Sequence, residues 1–108
     1  MTERAEAERF VRMVEVLREA DNEVKSDPLA ALEATSCTVK AVCELKRVCT
    51  RGYRRHVDAV AELQRARTGL DRLHPPDLEA IKRRLSAAQP DIEACTNAEG
   101  ALRRRYDL

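Results

Sequence analysis

A chain of 108 residues has room for one hydrophobic core and no second domain. Ala, Leu, Glu and Arg dominate, whereas glycine (3 residues) and aromatics (3%) are scarce, so helices have their building material and strands do not. The net charge of +1, with charged residues at 36% interspersed along the chain, excludes a polycation and predicts helices with one solvated and one buried face.

The first helix is predicted over residues 2–25, where Phe10, Val14, Leu17 and Val24 share a face with Met13 beside them. Ser26-Asp27-Pro28 ends it. Ser26 or Asp27 can cap a following helix, and Pro28 suits its first turn, where a missing N–H is unpaired in any case. The apolar pattern then runs through Leu29, Leu32, Val39, Val42, Leu45, Cys49, Val57, Val60, Leu63 and Leu70 with no proline before Pro75, which predicts one long second helix over 28–73. Gly52 inside it costs on the order of 1 kcal/mol relative to alanine and marks a place for a bend or fray.

Leu73-His74-Pro75-Pro76-Asp77 is the next turn, because the residue before each proline is pushed out of helical geometry. A third helix is expected over 76–107. Its stripe of Leu78, Ile81, Leu85, Ala88, Ile92, Cys95, Leu102 and Tyr106 is interrupted by Glu99 and persists across Pro90, which predicts a helix that passes through the proline with a kink. Short connections make consecutive helices antiparallel. The expected fold is therefore all-α: a single domain over 1–108, folded as an antiparallel up-down-up three-helix bundle with a long central helix, either a monomer or a homodimer.

Cys37, Cys43 and Cys49 lie six apart, and on one helix each is turned about 240° from the last. They are expected not to pair along that helix and to be buried structural thiols. No Cys-x-x-Cys or His-x-x-x-Cys pair points two ligands at one ion, so no metal or other cofactor is expected. His56 and His74 have no nucleophile or orienting carboxylate beside them in sequence, and no glycine-rich phosphate loop is present, so the chain is read as a non-enzyme.

No apolar run approaches the roughly 20 residues that cross a bilayer. The N-terminal MTERAEAERF carries charges where a signal peptide needs an apolar stretch. Both points lead to an expectation of a cytoplasmic protein away from membranes.

The first 36 residues are net acidic and the remainder net basic. Lys46, Arg47, Arg51, Arg54 and Arg55 crowd the middle of the long helix, at spacings that gather several charges on one side. Lys82, Arg83 and Arg84 lie early in the third helix, and Arg103, Arg104 and Arg105 near its end, where they also complement a helix C-terminus. The first eight of these residues are the expected contacts for an acidic protein partner. Nucleic acid is disfavoured by the near-neutral charge, the scarcity of stacking aromatics and the lack of a recognition motif.

Val39-Lys40-Ala41-Val42 with Leu45 and Lys46, then Tyr53, then Pro75-Pro76-Asp77-Leu78, then Pro90-Asp91 with Cys95, form a pattern over residues 39–95 that resembles tubulin-binding cofactor A. Members of that family are small three-helix chaperones. The resemblance implies a cytoskeleton-associated holdase that binds β-tubulin without nucleotide or metal. The family's third helix has no counterpart after residue 108, and the first helix here is expected to take its place in the bundle. The competing reading is a coiled-coil adaptor or structural subunit of a larger complex.

Overall fold

A computed structural model describes residues 2–68 and 75–108. The described residues form four α-helices, α1 (Glu3–Glu19), α2 (Ser26–Ala34), α3 (Lys40–Arg67) and α4 (Pro75–Tyr106), with one 3-10 turn at Asn22–Val24. No strand occurs among them, and the molecule measures 50 × 22 × 19 Å. The all-helical class is as the composition requires. Leu70, Leu73 and His74 lie outside the described residues.

The first helix is shorter than its pattern implies. Thr2 starts it, its hydroxyl accepting from the Ala5 N–H at 3.0 Å. Phe10, Val14 and Leu17 are buried, together with Ala7 and Val11, but Ala20 is extended and Val24 lies exposed in the 3-10 turn. The end of α1 is set by Lys25, whose Nζ donates to the Leu17 and Arg18 carbonyls at 2.8 and 2.9 Å. A cation there satisfies two of the last carbonyls and complements the helix dipole.

The largest departure is the predicted second helix, which is two helices. α2 starts at Ser26 with no side-chain cap, so the expected Ser26 or Asp27 cap is not made, although Pro28 does fall in the first turn. Leu29 and Leu32 are fully buried. The chain then leaves helical geometry at Thr35 and resumes at Lys40. Thr35-Ser36-Cys37-Thr38-Val39 is a run of weak helix formers. In an unbroken helix the Thr38 and Val39 N–H groups would bond carbonyls four residues back. Here they donate to the Glu6 carboxylate of α1 at 3.1 and 2.7 Å, while the Thr38 hydroxyl donates to it at 2.6 Å. Glu6 thus caps α3 from a different helix.

This break also overturns the reading of the cysteines as free thiols. Cys37 lies outside α3, so the 240° argument, which presumed one helix, does not apply to it. Cys37 is bonded to Cys43 and Cys49 to Cys95, with Cα separations of 5.4 and 4.7 Å.

α3 and α4 form an antiparallel pair. Cys49 meets Cys95, Arg55 meets Asp91 and Arg84 meets Glu62, so positions rise on one helix as they fall on the other. α1 lies antiparallel to α4, through Arg4 to Tyr106, Glu15 to Arg103 and Arg18 to Glu99. Its N-terminal end meets the start of α3 through Glu6. Phe10, Val14 and Leu17 share one core with Leu29 and Leu32 of α2, Val42, Leu45, Cys49, Tyr53 and Val57 of α3, and Cys95 and Leu102 of α4.

Two residues that look unfavourable in sequence are explained by this packing. Gly52 marks a close approach rather than a fray: a Cβ there would meet the backbone of Asp91 and Ile92 at 3.0 Å. α4 continues through Pro90, which leaves the Ser86 carbonyl without its usual donor, and the residues just after the proline are those seated on Gly52. Arg51 and Arg55, on either side of Gly52, both reach the Asp91 carboxylate, at 3.4 and 3.1 Å.

Candidate functional site

The residues expected to form a basic face are engaged within the molecule. On α3, Arg54 bonds Glu33 of α2 and Asp58, Arg51 and Arg55 share Asp91, and Arg47 holds Glu44 one turn away at 2.5 Å. Lys46 donates to the Thr35 carbonyl at 2.8 Å, closing the last turn of α2. On α4, Arg84 pairs with Glu62 of α3 and Lys82 with Glu79; Arg83 is exposed. The hydrogen bond from Glu33 raises the guanidinium pKa of Arg54, and the bond from Glu62 does the same for Arg84. Arg47 in turn holds the Glu44 carboxyl below its usual range. These arginines lie along two helices and their charge is shared with carboxylates of the same chain. Ion pairs this exposed are individually worth little, yet three of the sets connect one helix to another.

The buried charges, which sequence pattern alone did not single out, have structural partners. Glu6 is 7% exposed, and its bonds from the Thr38 hydroxyl and the Val39 and Thr38 amides lower its pKa. Glu99 is 4% exposed and accepts from Arg18 of α1 at 2.5 and 2.8 Å, with Arg103 at 3.9 Å. It occupies a core position in the α4 stripe, and the guanidinium that answers it comes from α1. Lys25 is buried between the end of α1 and the Tyr53 ring, 5.6 Å from its centroid. Burial lowers its pKa and raises that of the Tyr53 phenol.

His56 is half-buried. Its Nε2 lies 3.2 Å from Asn22 Oδ1, and its Nδ1 has no hydrogen-bond partner among the described residues. Burial and the nearby Lys25 ammonium both lower its pKa. In the neutral ring the proton sits on Nε2 and donates to Asn22. This histidine joins the 3-10 turn to α3, and no Cys, Ser or carboxylate is hydrogen-bonded to it. Among the described residues no group of three or more His, Cys, Asp and Glu side chains could hold a metal ion.

Surface shape offers one apolar feature. Met13 and Val16 of α1 with Pro28 and Ala31 of α2 line a shallow groove rimmed by Arg12. Val16 is 59% exposed, the most open of the large apolar side chains. The sequence signal was present in Met13, which lies beside the core stripe of α1, but Val16 falls on the far side of that stripe.

No family model, curated protein or solved structure matches the chain. Among the described residues no helix is long and apolar enough to cross a membrane.

Proposed function

We propose that this chain is a non-catalytic, protein-binding helical bundle that works as an adaptor or structural subunit in an oxidising compartment. The observation that carries the reading is the use made of the buried charges. Glu6 caps α3, Lys25 closes α1, and Glu99 ties α4 to α1. Groups that a catalyst would present to a substrate are here committed to holding helices, which leaves the outer surface as the working part. Two disulfides in so small a bundle support an oxidising environment, since thiols in the cytosol are kept reduced.

A second reading is a cytoplasmic holdase for β-tubulin. Its support is the placement of α1 along both α3 and α4, where a third helix of the cofactor bundle would lie, together with the residue pattern over 39–95. It requires all four cysteines to work as thiols, and the disulfides favour the adaptor.

Purification of the chain from its own cells in thiol-blocking buffer, with the mass of any complex and the alkylation state of the chain read together, tests both. A complex of fixed stoichiometry containing a chain with no alkylated cysteine supports the adaptor. A complex with β-tubulin and four alkylated cysteines supports the holdase. A chain recovered without any other protein contradicts both.

A further inference from the structure

We infer that the outer face of α1 is a self-complementary docking surface for a second copy of this chain, packed antiparallel across a two-fold axis. The core-facing side of α1 is occupied by Phe10, Val14 and Leu17. On the opposite side, Arg9, Met13, Val16 and Ala20 follow one another at spacings of four, three and four residues, the repeat of a helix-to-helix seam. Met13 and Val16 form its apolar centre, and Pro28 and Ala31 of α2 continue the apolar surface beside them. Exposed apolar side chains grouped in this way mark an interaction surface.

Charge selects the occupant. On the flank of the seam Arg12 stands toward the start of α1 and Glu19 at its end. Arg9 lies on the seam toward the same basic end, and Asp21 and Glu23 follow in the acidic turn. An antiparallel copy sets Met13 against Val16 of the second copy. In the same register Arg12 meets Glu19 of the second copy, and by symmetry Glu19 meets Arg12. The long Arg9 side chain then crosses the small Ala20 toward the acidic turn. A two-fold interface needs a surface complementary to itself, and α1 is one: basic at one end, acidic at the other, apolar between. The existing bond from Arg12 to Glu8, at 2.6 Å, joins two exposed side chains of which the arginine is 75% exposed, so Arg12 can exchange or share that partner on association.

Analytical ultracentrifugation of the disulfide-bonded chain over a wide concentration range tests this. The expected species at high concentration has twice the 12.2 kDa chain mass. Val16→Asp, at an exposed position that leaves the core untouched, is expected to weaken association by about tenfold or more. Arg12→Glu and Glu19→Arg are each expected to weaken self-association and, when mixed with each other, to form a heterodimer, because every flanking contact is then attractive. Helical content by circular dichroism confirms that each variant is folded. A wild-type chain that stays at 12.2 kDa at every concentration overturns the inference. So does a dimer unchanged by Val16→Asp, or two charge variants that fail to pair with one another. None of these outcomes bears on whether the bundle also binds a different protein.

Discussion

Gly52 and Asp91 bring the two longest helices together: the backbone of Asp91 lies where a side-chain carbon on residue 52 would have to go. The neighbours are main-chain atoms, so they cannot swing aside. Gly52→Ala is expected to force α3 and α4 apart and to lower stability by about 1–2 kcal/mol, the strain of overpacking exceeding the gain in helix propensity. Urea unfolding monitored by circular dichroism checks this. A midpoint equal to or above that of the wild type would contradict the close approach.

The two disulfides close loops of very different length, with 46 residues between Cys49 and Cys95 but only 6 between Cys37 and Cys43. On chain entropy alone the longer bridge is worth about 4 kcal/mol and the shorter about 2 kcal/mol. The Cys49→Ser/Cys95→Ser variant should therefore lose more stability than Cys37→Ser/Cys43→Ser. Unfolding midpoints of the two variants, measured side by side, decide the order.

Arg18 and Glu99 are coupled across α1 and α4. Glu99 is buried, whereas Arg18 keeps more than a third of its side chain in solvent, so the coupling is weaker than for a fully buried pair. A double-mutant cycle with Arg18→Met and Glu99→Gln should return a coupling of about 1–2 kcal/mol. Additive effects would mean that the pair does not hold α1 in place.

The cap that Glu6 provides predicts an acid response. The folded pKa of Glu6 is below its ordinary 4.5 because Thr38 and Val39 bond its ionised form. Its contribution is therefore complete above that unfolded value and is lost as pH falls through the lower folded value. Glu6→Gln should be less stable than the wild type near neutrality and should approach it as pH drops below about 4.5. Unfolding free energy measured against pH checks this, and a gap that stays constant down to the acid limit would contradict it.

The legible parts of the sequence were those set by local chemistry. Helical class followed from composition, the core face of α1 from the spacing of Phe10, Val14 and Leu17, and the passage of α4 through Pro90 from the unbroken stripe around it. The missed features depend on residues distant in the chain. The break at residues 35–39 is fixed by a carboxylate on α1, although the run Thr35-Ser36-Cys37-Thr38-Val39 was a local hint of it. Without that break Cys37 could not be seen to reach Cys43. Glu99 interrupted a core stripe for no visible reason until Arg18 was placed beside it. The basic residues were conspicuous in sequence, but their carboxylate partners, Glu33, Glu62 and Asp91, sit on other helices.

The claim on which the rest depends is that the working form of this bundle is disulfide-bonded. Peptide mapping by mass spectrometry, on protein taken from its own cells after rapid thiol blocking, tests it most directly. The account predicts linked peptides joining Cys37 to Cys43 and Cys49 to Cys95, with no blocked thiol. Four blocked cysteines, or any other pairing, would contradict it.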